Sequence, residues 1–467
     1  MENFYDHQTL RDLSAFIERN NQSDKALEVM ATSANNDLTL KLSHEQFRVW
    51  KSSILRGQDH SYNMCSVFKI QGALNQVALE MAYHALVKKH DILRTNFVLH
   101  EEQPLQLIRP FRSRDYQITF ESHEDEAINP NIDRLIRQCF ALDSDPLIKL
   151  TLIKRQPDHY YLVVVLHHIV ADGWSMEIFF SQLVNLYQQQ LSGAIQCLPL
   201  RQQYWQYAQE QLTKKSARYM ELQKYWSEEL QSPRMQYMQL PYDFERPKEM
   251  QKGGALLTEH FHRDLSVALS EFARRKNVSL FMTVLTGIYA LIHQYYGQYD
   301  LAVGTTMSGR RRKELEEQIG LHLNLIPLRI HFTPDDTFIT LVSKVKKTVL
   351  QASSHQEYPF DFMLEDLGIV PKINQSPVFN VLVEFRNMDI FMQQCDEPDN
   401  LKITKIFVEQ DFSRYDLTFF FDVTQEGLSL SIEYSLDLFE TSTVDTIVYK
   451  LLEIYQFMVI DPSHHVS

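Results

Sequence analysis

The sequence predicts an α/β (α+β) protein of two lobes of comparable size, and three observations carry that expectation. Helix-periodic and strand-periodic segments are mixed in similar proportion through both halves of the 467 residues. A continuous apolar run, Tyr160 to Leu166, ends in a sharp loop and leads directly into a helical stripe. A proline-rich irregular stretch from Gln231 to Gly254 falls at mid-chain, and connections of that kind usually cross between lobes.

The elements follow in order. Leu10, Leu13, Phe16 and Ile17 have helical spacing, and Asn20 to Asp37 is rich in Asn, Ser and Asp, as a linker is. The first lobe is expected over 38–230. Within it, Asn75 to His90 reads as a helix with Asn75 as N-cap and Lys88 and Lys89 at the negative end of its dipole. Tyr160 to Leu166 reads as a strand covered on both faces. Ile178, Phe179, Leu183, Leu186 and Tyr187 then make a stripe along Trp174 to Leu191, with Gly193 where a C-terminal cap is wanted.

The inter-lobe connection is placed at 231–254 and the second lobe at 255–467. There Leu265 to Lys276 and Ser279 to Tyr296 read as helices, and Asp300 to Thr305, Leu323 to Phe332 and Val378 to Phe385 as strands. Leu417 to Val423 and Leu428 to Tyr434 flank Thr424-Gln425-Glu426-Gly427, a hairpin signal. Val444, Ile447, Val448, Leu451, Leu452, Tyr455 and Met458 form one face of a last helix.

Composition narrows the class. A net charge of −14 argues against a general nucleic-acid or anionic-membrane surface, because basic patches supply that affinity. The four cysteines (Cys65, Cys139, Cys197, Cys395) are far apart and form no CxxC. They read as reduced thiols, with no metal site and no disulfide frame, in a cytoplasmic protein. The first residues carry Glu2, Asp6, Arg11 and Asp12 and do not resemble a signal peptide. The apolar stretch around Leu280 to Ile292 is too short to span a bilayer.

The chemistry is expected in His167-His168-Ile169-Val170-Ala171-Asp172-Gly173. An imidazole can take or relay a proton at neutral pH, and the end of a buried strand holds it rigidly. Asp172, four residues on, is suited to fixing the loop through a cation or to capping the next helix. Gly173 allows close approach to the backbone.

HHIVADGWS resembles the HHxxxDG motif of condensation domains of nonribosomal peptide synthetases, in the chloramphenicol-acetyltransferase-like superfamily. Further motifs follow in the family's order from about Leu38 to the end. LSHEQFRVW (Leu42 to Trp50) and KKHDILRTNF (Lys88 to Phe97) resemble the first two, and YWQYAQE (Tyr204 to Glu210) partly resembles the fourth. VGTTMSGR (Val303 to Arg310) and IGLHLN (Ile319 to Asn324) cover the fifth, HQEYPFD (His355 to Asp361) is close to the sixth, and SPVFNV (Ser376 to Val381) keeps the end of the seventh.

The resemblance implies two chloramphenicol-acetyltransferase-like lobes in a V-shaped pseudo-dimer, with the active site in a tunnel between them. It implies amide-bond formation between an acyl or peptidyl thioester on an upstream carrier protein and the amine of an aminoacyl thioester on a downstream one. The carriers would supply 4′-phosphopantetheine; none is bound by the chain itself. His168 matches the catalytic histidine, as base or as the group orienting the amine, and His167 the largely structural one. Asp172 matches the loop-holding aspartate, with Arg310 its candidate partner, and Gly173 a candidate oxyanion donor. Arg48 and Arg94 are expected to support the fold, and Trp174, Ser308, His322 and Asn324 to line the tunnel. His322 stands in Leu321-His322-Leu323 where the family usually has x-Phe-Val.

Asn3 to Glu18 resembles the last helical part of a carrier protein, so residues 1–20 are expected to be a carrier remnant and 21–37 a linker. An adenylation domain is the expected neighbour, and the excised domain is expected to be a monomer. The alternatives are a stand-alone or modifying acyltransferase on the same fold and a catalytically silent docking domain.

Overall fold

The computed structural model describes residues 30–31, 38–55, 60–123, 128–193, 198–213, 217–231, 238–248, 253–370, 374–386, 401–406, 412–424 and 427–466. The expected carrier remnant at 1–20 lies outside them, as does most of the expected linker. The strands in chain order are β1 (Met30–Ala31), β2 (Leu38–Lys41), β3 (Asn63–Gly72), β4 (Thr95–His100), β5 (Gln103–Ile108), β6 (Thr119–Ser122), β7 (Ile148–Gln156) and β8 (His159–His167). They continue with β9 (Gly254–His260), β10 (Asp300–Met307), β11 (Asn324–His331), β12 (Val381–Arg386), β13 (Leu401–Ile406), β14 (Leu417–Thr424) and β15 (Gly427–Ser435).

Two compact units result. The first comprises described residues within 1–215, 308–323 and 390–408, and the second those within 216–307, 324–389 and 409–467. The division into contiguous lobes at 38–230 and 255–467 is therefore corrected. The helix Ala217–Gln231 belongs to the second unit, where Leu222, Trp226 and Leu230 are buried in its core. Trp226 Nε1 also donates to the carbonyl of His355 at 3.0 Å there. Conversely, Ser308–Leu323 and β13 come late in the sequence but are part of the first unit.

In the first unit the main sheet runs β13-β3-β8-β7-β6. β8 is central and pairs antiparallel with β3 and β7. That is why its apolar residues do not alternate with polar ones, and why Leu162 to Leu166 are all buried. The helices Gln76–Lys89 and Gly173–Ser192 pack together, and Phe68 of β3 stacks on Phe180 of the latter with ring centroids 3.7 Å apart. Asn75 caps the first of these helices by accepting the Ala78 N–H at 3.0 Å. Gly193 closes the second with φ +68°, a conformation costly for any residue with a Cβ. A smaller sheet, β1-β2-β5-β4, completes the unit.

The second unit holds a six-stranded sheet, β11-β10-β12-β14-β15-β9. The expected hairpin is the antiparallel pair β14–β15, with Thr424 opposite Gly427. Every residue from Met282 to His293 of the helix Leu280–Tyr296 is buried, which accounts for the apolar stretch there. Among the described residues no single helix is long and apolar enough to cross a membrane. A Cβ on Gly287 would lie 2.1 Å from the ring of Tyr455, on the last helix, Thr441–Ile460. Tyr455 in turn donates to the Val284 carbonyl at 2.8 Å, so the two helices meet at a glycine-sized gap.

Truncating Phe68 removes one of the tightest ring contacts in the first core. Phe68→Ala is expected to cost about 3–5 kcal/mol, read as a lower denaturant midpoint followed through a first-unit probe.

Candidate active site

The site is built at the end of β8. His167 is the last strand residue and pairs with Asn63 of β3. Its ring is buried between Phe140 and Tyr62, and Nδ1 accepts the Ile169 N–H at 3.2 Å. It therefore fixes the start of the loop, and its burial separates it from His168.

His168 is half-buried. Its backbone N–H donates to the Tyr62 carbonyl at 2.8 Å, and its Nδ1 lies 2.7 Å from the Ala171 carbonyl. A carbonyl only accepts, so Nδ1 carries the hydrogen. In the neutral ring Nε2 then holds the lone pair. The loop thus sets both the ring's orientation and its tautomer.

Asp172 does two things that the sequence presented as alternatives. It is the N-cap of the helix Gly173–Ser192, accepting the Ser175 N–H at 2.8 Å and the Ser175 hydroxyl at 2.6 Å. It is also the partner of Arg310, with Nη2 2.9 Å from Oδ1 and side-chain exposures of 2% and 1%. Its second oxygen accepts the His322 N–H at 3.1 Å. Burial by itself would raise this carboxyl, but Arg310 and the Ser175 hydrogen bonds outweigh it and hold the group below the usual carboxylate range.

Arg310 is held as firmly. It donates to the carbonyls of Leu315 and Gln318, each at 2.6 Å, and to the Ser175 hydroxyl at 2.8 Å. Two glycines let this segment close. Gly309 has φ +63°, and a Cβ there would sit 2.3 Å from the His322 carbonyl oxygen. A Cβ on Gly320 would sit 2.0 Å from the ring of Tyr204.

Several residues that sequence reasoning quoted only within motifs turn out to brace this assembly. His90 is fully buried; its Nδ1 accepts the Ile319 N–H at 3.4 Å, and its Nε2 bonds Gln182 at 2.8 Å. Gln46 donates to the Ile169 carbonyl at 3.4 Å. The Tyr204 hydroxyl donates to the Leu321 carbonyl at 2.7 Å and meets Ser43 Oγ at 2.8 Å. In KKHDILRTNF seven of the ten residues are polar, so composition alone does not single out His90.

The remaining expected residues divide. Gly173 is exposed, with nothing within 4 Å of where a Cβ would be. Trp174 is 40% exposed, with Nε1 3.2 Å from the Glu316 carbonyl, and Ser308 is exposed. Arg48 acts on the carboxyl of Glu45 one helical turn away, and Arg94 pairs with Asp91, so both support the fold. Two tunnel expectations are corrected. His322 is only 1% exposed, its ring packed 5.1 Å from Tyr204 and 4.4 Å from Tyr207. Asn324 is buried and braces a loop, donating to the carbonyls of Gln356 and Tyr358 at 3.0 and 2.7 Å and accepting the Phe360 N–H at 3.3 Å.

Residues 36–467 match the family model described as condensation domain. The chain belongs to the condensation-domain family. It is 31% identical over 441 residues to malpinin synthetase of Mortierella alpina, an alignment covering 93% of this chain and 6% of that protein. With tyrocidine synthase 2 of Brevibacillus parabrevis the identity is 28% over 472 residues, covering 100% of this chain and 13% of that protein. This domain thus spans only a small part of the length of such curated relatives. Its fold superimposes on the X-domain from teicoplanin biosynthesis with a TM-score of 0.83 at 22% identity, covering 95% and 99% of the two chains. For the first condensation domain of the calcium-dependent antibiotic synthetase the TM-score is 0.75 at 18% identity, covering 92% and 98%.

Two outcomes follow for this condensation domain. Arg310→Ala leaves a buried carboxylate unpaired and is expected to cost about 3–5 kcal/mol, whereas Arg310→Met combined with Asp172→Asn recovers most of that in chemical denaturation. The second concerns acid. Burial lowers His90 to about 3 and His44 to about 4, so both stay neutral in the fold, whereas an unfolded histidine titrates near ~6.5. Their contribution is therefore complete above pH ~6.5 and is lost as pH falls toward those lower values. Denaturant midpoints should decline from about pH 6.5 downward, and His90→Gln should flatten that slope.

Proposed function

We propose that the chain catalyses amide-bond formation between an acyl or peptidyl thioester on an upstream carrier protein and the amine of an aminoacyl thioester on a downstream carrier. The observation that carries this reading is the state of His168: oriented by Tyr62 and Ala171, protonated on Nδ1, and half-buried. The acceptor amine attacks the donor's carbonyl carbon and forms a C–N bond. The tetrahedral centre collapses, the C–S bond breaks, and the upstream pantetheine thiol leaves. The nitrogen must lose one proton and the sulfur gain one.

His168 Nε2 either takes that proton or orients the amine by hydrogen bonding. His167 and Asp172 act on the reaction only through the loop they hold. Gly173, exposed at the first position of its helix, is suited to let the substrate carbonyl approach and to donate its N–H to the oxyanion. Both thioesters arrive as substrates on the carriers' phosphopantetheine arms, and an adenylation domain would load the downstream one.

The test incubates the domain with separately loaded donor and acceptor carriers and follows intact-protein mass. Transfer of the donor's acyl mass to the acceptor carrier is expected. His168→Ala is expected to lower the rate by about 10²-fold or more with an unchanged unfolding midpoint. No transfer by the native domain overturns the proposal, and carrier binding without turnover marks the docking-only alternative. Consumption of free acyl-CoA without carriers would identify a stand-alone acyltransferase.

A further inference from the structure

The six-stranded sheet of the second unit has one apolar and one polar face. Val383, Phe421 and Ile432 are buried on the first, and the Phe421 ring lies 6.5 Å from Tyr455 of the last helix. The register puts Glu384 beside Phe420, and Thr418 beside both Leu382 and Glu433. Strand alternation then places Glu384, Arg386, Thr418, Asp422 and Glu433 together on the opposite face. Thr306 of β10 joins them, its hydroxyl donating to Glu384 Oε1 at 3.1 Å.

Around Glu384 and Glu433 the charges of the described residues do not balance. Arg386 is engaged by Asp422 through two hydrogen bonds, of 3.0 and 2.7 Å, and lies 4.3 Å over the Phe420 ring. The other guanidinium acting on Glu384 and Glu433 is Arg414. Among the described residues, the cluster of Glu384, Asp422 and Glu433 thus has two guanidinium groups for three carboxyls, and Glu433 is also hydrogen-bonded by the Arg414 backbone and by Ser413. Burial raises both glutamates, Glu433 to about 7, with the arginines acting against it. Both are half-buried by surface area, so they remain within reach of a ligand. Directly across from Glu433, Thr418 is 1% exposed and its hydroxyl has no hydrogen-bond partner among the described residues. A buried hydroxyl left unpaired is costly and marks a place where a partner is wanted.

We infer that this sheet face is a binding site for an alkylammonium group, seated between Glu384 and Glu433 and donating to Thr418. The ammonium supplies the missing positive charge, and a proton held by the carboxyl pair leaves to solvent as it binds. That the ammonium is the side chain of a thioester-bound substrate rests on the condensation reading; the charge count does not.

The test needs no carriers. Nα-acetyl-lysine and Nα-acetyl-norleucine N-acetylcysteamine thioesters differ in one terminal charge, and each is titrated calorimetrically into the full chain at pH 8 and pH 6. The lysine thioester is expected to bind about tenfold tighter at pH 8, with a smaller margin at pH 6. In Glu384→Gln and in Glu433→Gln the preference should shrink to about twofold or less. Glutamine mimics the protonated carboxyl in shape, and Thr418→Val serves where a glutamine variant fails to fold. Equal affinities, a preference that the variants keep, or no saturable binding of the lysine thioester each overturns the inference. Condensation of a neutral acceptor by the unmodified chain tests the other reading separately.

Discussion

The buried pair of Asp172 and Arg310 is the constraint on which the reactive loop depends. Taking two charges out of water is expensive, and Coulomb attraction repays it only where the geometry is good and the remaining hydrogen-bonding capacity is filled. Here Asp172 accepts from Ser175, Arg310 and His322, and Arg310 also reaches the carbonyls of Leu315 and Gln318. Replacing both by apolar residues of similar volume would be tolerable in energy, so the pair is better understood as setting one arrangement of the loop. That arrangement places the Ala171 carbonyl against Nδ1 of His168 and so selects the tautomer.

Around this pair the first unit keeps three of its histidines uncharged. His90, His44 and His322 are all driven toward the neutral form by burial, and Arg310 pushes His322 further in that direction. A second cation beside Arg310 would compete for the same carboxylate. His322 instead offers its backbone N–H to Asp172 and its ring to two tyrosines, so an aromatic stacking position is filled by a polar ring with no hydrogen-bond partner among the described residues. The Leu-His-Leu departure from the family pattern is thus a matter of packing in this unit.

Local signals were legible where local physics dictates them. The Asn75 cap, the Gly193 terminus, the continuous Tyr160–Leu166 strand and the turn after Thr424 all follow from short-range rules. His168 and Asp172 could be read because strand, loop and helix are contiguous. What failed was long-range. The proline-rich stretch at 231–254 looked like the boundary, but the helix before it buries Trp226 in the second core. Nothing within Leu401–Ile406 shows that it pairs with β3, more than three hundred residues earlier. Asn324 and His322 looked like polar residues for a cavity, since a single sequence does not say which buried partners will satisfy them.

That late strand also constrains how the protein can be made. β13 pairs antiparallel with β3 along its whole length, and Lys405 on it pairs with Glu177 of the helix that follows the reactive loop. As the chain leaves the ribosome, the edge of β3 stays open until residues 401–406 emerge. At a synthesis rate of about 5–20 residues per second, that is tens of seconds after β3 itself has appeared. The unpaired edge is a natural docking point for chaperones and for other nascent chains during that interval. Recombining such domains between synthetases at a mid-chain junction would join one parent's β3 to the other parent's β13, so that pairing, like the one between Asp172 and Arg310, constrains which chimaeras can fold.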